Sequence, residues 1–212
     1  LSAIFIILLV DKFKMLRLIT LGCSFILIIL IISFNDAAKI RIIDTSLDQM
    51  GFREDSVNNK KYIFSQEHQE QYTTAIKIFL DKPLFGAGIK KFRKECKNEK
   101  YSSGLYSCST HPHNIYLQLL SETGIIGFLF IFSFFIIFLK YIIRHFICLF
   151  KKNPFFTDFE VCLLSAVFIT IWPLSPNGNI FNNWLSIIYY FPVGILLWSF
   201  SKTKKKKLFK KN

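Results

Sequence analysis

Two histidines separated by one proline, His111 and His113, are the residues whose chemistry stands out most in this chain. An imidazole titrates near neutral pH, so either ring could take up a proton from a substrate. If a helix starts at Asn114, Gln118 and Glu122 follow at four and eight positions and share roughly one face. Polar residues at the end of an apolar segment are costly unless they face a cavity or a partner, so they indicate a functional site. The competing interpretation is that His111 and Asn114 only cap the helix, while His113 lies in water.

Two cysteines, Cys96 and Cys108, precede the histidine pair and allow two interpretations. With His111 and His113 they provide four ligands of the kind that structural zinc uses. Against zinc, no two cysteines lie as close as in a zinc knuckle, and Pro112 stiffens the histidine pair. We therefore predict no metal. A disulfide between Cys96 and Cys108 is favoured if the segment lies in an oxidising compartment.

Basic side chains in the same part of the chain are candidates for binding phosphate groups. Arginine matches phosphate geometry with a rigid fork of donors, and lysine supplies a compact positive charge. The alternative for each one is an ordinary solvated surface charge. The candidates are Arg41, Arg53, Lys90, Lys91 and Arg93.

Long apolar segments must position these residues. Hydrophobic residues make up 52% of the 212-residue chain, and residues 18–34 carry no charge, which is enough to cross a hydrocarbon core of about 30 Å. The predicted spans are 1–10 (the end of a span), 18–34, 125–147, 161–176 and 184–200. Because the chain starts with Leu inside an apolar stretch, we expect it to be the C-terminal part of a longer protein.

The distribution of charge predicts how these spans are oriented. Residues 11–17, 140–160 and 201–212 hold 14 of the 27 basic residues but only three of the 14 acidic ones. Lysine and arginine near span ends favour the cytoplasm, and five spans put all three segments there. Residues 35–124 then form one large periplasmic loop. The basic tail, 201–212, would contact anionic lipid, and no nucleic-acid partner is expected.

We therefore expect an all-α fold, a multi-pass transmembrane helical bundle in the bacterial inner membrane with one large, partly helical periplasmic loop. Residues 1–34 would hold the end of one span, a short cytoplasmic loop and a second span. Residues 125–200 would hold three more spans, followed by the cytoplasmic C-terminus.

The loop contains one clear helical pattern. Ser65 can cap it, and apolar residues recur at spacings of three and four over about 66–80. Pro83 ends the pattern, and Gly86 and Gly88 follow in a turn that allows close backbone approach.

Three other segments have weaker patterns. We predict a second, basic helix over 89–100, and irregular structure with at most one short helix over 35–64. A short outer turn near residue 180 is rich in asparagine; it could line an acceptor groove, but a plain solvent-exposed turn is favoured. Its asparagines are Asn177, Asn179, Asn182 and Asn183.

One motif resembles a known family. His113 and Asn114 are followed, nine residues later, by Gly124 and Ile125. This resembles the His-Asn-x₉-Gly signature near the C-terminal end of the large periplasmic loop in the O-antigen ligase/polymerase superfamily.

A second motif lies upstream, in the order the family requires. The segment from Pro83 through Gly86 and Gly88, followed by Phe92, is similar to the Pro-x-x-Gly-x-Gly…Phe segment of the same superfamily. The resemblance covers about 35–200, without the family's N-terminal spans.

The resemblance implies a metal-independent glycosyltransferase without a cofactor. Such proteins take a glycan from undecaprenyl pyrophosphate and pass it to lipid A–core, to a growing polymer or to a protein hydroxyl. By analogy His113 is the essential histidine, either as general base on the acceptor hydroxyl or as a ligand of the diphosphate. Residues that would bind or neutralise the diphosphate are Arg41, Arg53, His68, Lys90, Arg93, His111 and Asn114.

The sequence departs from the family at one position. Family members often carry an arginine four residues before an aromatic residue in the helix that precedes the Pro-Gly segment. Here His68 stands four residues before Tyr72. A titratable group thus replaces a permanent charge, or another arginine has taken over its role.

Transfer of O-antigen to lipid A–core is the favoured function. A polysaccharide polymerase or a protein O-oligosaccharyltransferase of the same superfamily is the alternative within the class. A non-catalytic transporter half or assembly scaffold is the alternative outside it, although transporters usually place polar residues at the bilayer midplane.

Overall fold

The computed structural model describes residues 8–10, 12–52 and 61–209, and it confirms the all-α prediction, since no strand occurs in these ranges. Within these ranges one π-helical turn, Ile40–Asp44, lies between two short α-helices, Asp36–Lys39 and Thr45–Gln49. Residues 1–7 of the predicted span end at 1–10 lie outside the described residues, and so does Arg53. The helices are α1 Lys14–Phe34, α2 Asp36–Lys39, α3 Thr45–Gln49, α4 Gln66–Asp81, α5 Phe92–Glu95, α6 Ile115–Phe150, α7 Asp158–Ile171 and α8 Asn183–Phe209.

Three helices of the described chain are long and apolar enough to cross a membrane: α1, α6 and the first 20 residues of α8. The prediction of a further span at 161–176 is not supported. Helix α7 has 14 residues, about 21 Å at 1.5 Å per residue, which is short of a hydrocarbon core. It ends because Trp172 precedes Pro173 and is extended, at φ −67° and ψ 123°.

Helices α6, α7 and α8 enclose the larger apolar core. Its centre contains side chains from all three helices, such as Phe135, Val161, Leu164 and Leu196. Leu9 and Val10 also belong to this core. Beside them, His145 donates a hydrogen bond of 2.9 Å to the carbonyl of Leu9. Helix α1, by contrast, has no buried residue.

A second, smaller core holds the segment between α1 and α6 together. Helix α4 packs against the start of α6 and begins as predicted, since the Ser65 side chain accepts from the His68 amide. The buried residues of this core are Ala75, Ile78, Phe92, Cys96 and Tyr101. This small core fixes the position of the loop on the membrane-spanning helices.

Two predictions for the loop were wrong. Residues 89–100 contain only the single turn α5. Lys90 is left-handed, with φ 59°, and the Phe92 amide donates to the Glu122 carboxylate instead of a preceding carbonyl, so a helix cannot continue there. Residues 36–49 are helical almost throughout, starting where the Asn35 side chain accepts from Ala38 at 3.1 Å.

Candidate functional site

A short irregular segment, residues 109–114, carries both candidate histidines, and we call it the histidine strap. His113 has a left-handed backbone, φ 52°, which is uncommon for a residue with a side chain. The surroundings hold this conformation, because the carbonyl of His113 accepts a hydrogen bond of 2.8 Å from the amide of Asn177. Within the strap the Ser109 hydroxyl donates to the carbonyl of His111 at 2.9 Å.

Three imidazole rings lie in a row across the strap. The ring centroids of His111 and His113 are 4.1 Å apart, and those of His113 and His68 are 5.5 Å apart. His68 comes from α4, where its Nδ1 lies 2.6 Å from the Ser65 hydroxyl. The position at which the family often has an arginine is therefore beside the candidate catalytic histidine.

Both nitrogens of His111 are bonded to protein. Nδ1 lies 2.9 Å from the Thr110 hydroxyl and Nε2 lies 3.2 Å from the carbonyl of Asn177, so the network assigns the proton to Nε2. Burial lowers the pKa of His111, and the bond to Asn177 opposes that effect in part. A neutral, fully bonded His111 that is only 8% exposed is suited to orienting its neighbours.

His113 is half-buried and keeps one nitrogen open. Since the Ser109 proton is directed to a carbonyl, Nε2 of His113 is the donor across the 3.3 Å to that hydroxyl. Nδ1 then has a free lone pair, with no partner among the residues that the structure describes. Desolvation lowers the pKa of His113, as do the nearby His111 and His68, while Glu67 opposes them. A neutral ring with an open lone pair is what a general base requires.

A cleft of about 510 Å³ opens beside His111. Its cationic part consists of Lys90 and Arg93, both exposed, with the Arg93 Nε donating to the carbonyl of Lys90 at 3.3 Å. Two residues of the histidine strap, Thr110 and His111, also line the cleft, whereas His113 does not. The rest of the lining comes from the connection between α7 and α8, at Gly178, Asn179 and Asn182, and from the first turn of α8, at Asn183, Trp184 and Leu185.

The segment before Lys90 is held on α6 by direct backbone bonds. The carbonyls of Ser121 and Glu122 accept from Ala87 and Gly88, at 2.8 and 2.9 Å, and the Ile125 amide donates to the carbonyl of Pro83 at 2.8 Å. Helix α6 kinks within this contact. The two motifs of the sequence therefore contact each other.

Two glycines make this approach possible. A Cβ on Gly86 would lie 2.4 Å from the carbonyl carbon of Glu122, and one on Gly124 would lie 2.3 Å from the carbonyl oxygen of Leu84. Both glycines have positive φ, 66° and 68°, which also disfavours other residues.

Buried polar side chains connect the two sides of the cleft. The Glu122 carboxylate, 0% exposed, accepts from the Phe92 amide at 3.0 Å and from the Gln118 amide at 3.1 Å. Gln118 also donates to Asn179 at 2.8 Å and accepts from Ile180 at 3.2 Å. The basic segment and the asparagine turn are thus fixed to the same turns of α6.

Asn114 has a structural role here. Its Oδ1 accepts from the amides of Tyr116 and Leu117, at 3.0 and 3.2 Å, and its Nδ2 donates to the carbonyl of Pro173 at 2.7 Å. It lines a second, more apolar cleft of about 380 Å³, together with Tyr72.

The other candidates lie apart from this arrangement. Arg41 is exposed in the π-helical turn and does not line the basic cleft, and neither does Lys91.

Cys96 and Cys108 are joined by a disulfide that connects the end of α5 to the start of the strap. No group of three or more histidine, cysteine or acidic side chains suited to a metal ion occurs within the described ranges.

The sequence interpretation missed part of the cleft. Thr110 and Ser109 were not considered, and the asparagine turn was favoured as a plain exposed turn. Its signal, four asparagines and a tryptophan next to an apolar span, was present in the sequence. Only the folded chain brings that turn to Lys90 and Arg93.

Three apolar helices of membrane-spanning length and a cleft lined by two cationic side chains define the class as a membrane protein with a polar cleft at the end of an apolar helix. The family described as O-antigen ligase matches residues 1–132, which is more than half of the sequence. The chain belongs to this family of ligase- or polymerase-like membrane glycosyltransferases.

The match begins earlier than the predicted resemblance at 35–200 and stops within α6. It contains both motifs and every candidate residue of the loop. Family and apolar helices together indicate an inner-membrane protein whose partners are, in general terms, a lipid-linked glycan and a glycan acceptor. No curated protein and no solved structure matches the chain.

Proposed function

We propose that this protein transfers a glycan from undecaprenyl pyrophosphate to lipid A–core on the periplasmic face of the inner membrane, without a metal. The observation that carries the proposal is the meeting of the two family motifs. Their backbone contact at Gly88 and Glu122 holds Lys90 and Arg93 in one cleft with His111, whose ring centroid lies 4.1 Å from that of His113.

In the proposed reaction an acceptor hydroxyl oxygen attacks the anomeric carbon of the glycan. The bond between that carbon and the phosphate oxygen breaks, and undecaprenyl diphosphate leaves with the electron pair. The hydroxyl proton passes to Nδ1 of His113. The lowered pKa and the open lone pair support this base role over binding of the diphosphate as a cation.

Lys90 and Arg93 are the proposed partners of the leaving diphosphate. Cations fixed at the point where charge develops stabilise the transition state more than the ground state. This is the task that a metal ion performs in other glycosyltransferases. His68 lies beside His113, with ring centroids 5.5 Å apart, and its coulombic effect lowers the pKa of that base.

The test is complementation in a strain that lacks its own O-antigen ligase, with lipopolysaccharide analysed on a gel. We expect the full-length protein to restore the ladder. His113→Ala should abolish it, and Arg93→Ala should reduce it at least about tenfold, the loss of one charged hydrogen bond. Lys94→Ala is the matched control, since Lys94 is an exposed neighbour that does not line the cleft.

Correct insertion of every variant is checked first by protease accessibility of the loop. A ladder from inserted His113→Ala at the wild-type level would remove His113 from the mechanism. No ladder from inserted wild type would reject ligation to lipid A–core. In that case the chain length of lipid-linked glycan would be measured next, because a polymerase lengthens it.

A further inference from the structure

The cleft beside His111 has two chemically different parts, contributed by different segments of the chain. One part is cationic, with Lys90 and Arg93. The other part is neutral. It comes from the connection between α7 and α8 and from the first turn of α8, and it contains three asparagines and Trp184. We infer that this neutral part binds the sugar attached to the diphosphate and so selects the donor glycan, an inference that rests on the proposed function.

The asparagines offer hydrogen-bonding groups that the protein leaves unused. The Asn179 carbonyl accepts from Gln118 at 2.8 Å and from the Phe181 amide at 2.9 Å, which fixes the side chain. Its NH₂ group has no partner in the described part of the chain. The exposed amide of Asn183 likewise makes no hydrogen bond with any residue described. An amide provides both donors and an acceptor, as a ring of hydroxyl groups requires.

Trp184 adds a flat apolar surface to the same part of the cleft. Its side chain is 80% exposed in the first turn of α8. Tryptophan at the end of a span ordinarily lies in the membrane interface. Trp184 lines the cleft between Asn183 and Leu185, however, where its ring can cover the apolar face of a sugar ring.

The two parts of the cleft fit the covalent structure of the donor. A sugar is joined directly to the diphosphate, so one ligand has a charged and a neutral portion within a few bonds of each other. The cleft of about 510 Å³ is within the range of roughly 300–1,000 Å³ typical of small-molecule sites. Gln118 and Glu122 connect the two parts, since Gln118 holds Asn179 and Glu122 holds Phe92.

The experiment compares two probes on the full-length protein in lipid nanodiscs: undecaprenyl diphosphate, and the same lipid carrying the glycan of the host strain. The variants are Asn183→Ala and Trp184→Ala, both at exposed positions where folding is not at risk. Trp184→Phe keeps an aromatic ring. Trp198→Ala is the control, because it removes another exposed tryptophan of α8 that does not line the cleft.

We expect Asn183→Ala and Trp184→Ala to weaken binding of the glycan-bearing lipid about tenfold, the range of one or two lost contacts, and to leave binding of the sugar-free lipid unchanged. Trp184→Phe should recover most of the loss, and Trp198→Ala should behave as wild type. Equal weakening of both lipids, or no effect on either, would overturn the inference. A wild type that transfers glycan but binds both lipids equally would overturn it while leaving the proposed function intact, whereas a wild type that binds neither lipid would overturn both.

Discussion

The amide of Gly88 donates a hydrogen bond of 2.9 Å to the carbonyl of Glu122, and this bond joins the two sequence motifs through residues that are 34 positions apart (122 − 88). The same glutamate holds the Phe92 amide with its carboxylate. Lys90 lies between Gly88 and Phe92, so both of its flanks are fixed to α6. The position of a basic side chain in the cleft therefore depends on backbone contacts at Glu122.

The pH dependence of transfer should report the environment of His113. Its pKa lies below the usual 6.5 because of desolvation first, and then because of His111 and His68. A base acts when it is neutral, so activity should persist below pH 6.5 and be lost as the pH falls through this lowered pKa. The measurement is kcat/KM against pH for glycan transfer in membranes.

Two variants of His68 should shift the acidic limit of activity in opposite directions. His68→Gln removes the coulombic effect by which His68 lowers the pKa of His113, so the acidic limit of activity should move to higher pH. His68→Arg introduces a permanent positive charge beside His113 and should move that limit to lower pH. Identical pH profiles for both variants would contradict an interaction between the two rings, whose centroids are 5.5 Å apart.

Substitution of Gly86 or Gly124, the two glycines at the contact between the motifs, should destabilise the protein. Gly86→Ala and Gly124→Ala each introduce a methyl group less than 3 Å from backbone atoms, at positive φ. We expect a loss of about 2 kcal/mol or more in the free energy of unfolding. Gly22→Ala and Gly194→Ala are the controls, because a Cβ there meets nothing within 4 Å. Thermal unfolding in detergent is the measurement, and equal midpoints in all four variants would contradict the contact.

Cys96 and Cys108 should resist thiol labelling in the untreated protein, while Cys23, Cys148 and Cys162 should react after denaturation. Closure of so short a loop contributes about 2–3 kcal/mol. Cys96→Ser should therefore lower the unfolding midpoint, whereas Cys162→Ser, at an exposed position in α7, should not. Mass spectrometry with and without reductant counts the labels. Labelling of all five cysteines before reduction would rule out the bond.

Glu122 should be needed for folding of the cleft. Glu122→Ala leaves the buried amide of Phe92 without an acceptor, at a cost of about 1–3 kcal/mol. Glu122→Gln keeps one acceptor oxygen but places two amide donors against each other at Gln118, so it should be intermediate. Glu99→Ala, at an exposed position, is the control. Unfolding midpoints for Glu122→Ala and Glu99→Ala that do not differ would contradict this role.

Local rules were enough for much of the helical architecture. The Ser65 cap and the apolar spacing predicted α4, and uninterrupted apolar residues predicted α1 and the long part of α6. These features arise from residues close in the chain, where periodicity and capping act. The same rules failed at 89–100, because the Phe92 amide is bonded to Glu122, 30 positions away.

Residue type and spacing by themselves determined that this chain is an apolar, helical membrane protein and that two motifs resemble one family, and by that resemblance His113 is the candidate essential histidine. Tertiary structure alone decided which side chains share the cleft. It brought Lys90, Arg93 and the asparagine turn to His111, and it left Arg41 outside. The physical reason is that a cleft forms from segments far apart in sequence. Their approach depends on backbone contacts at glycine and on buried hydrogen bonds that no local pattern specifies.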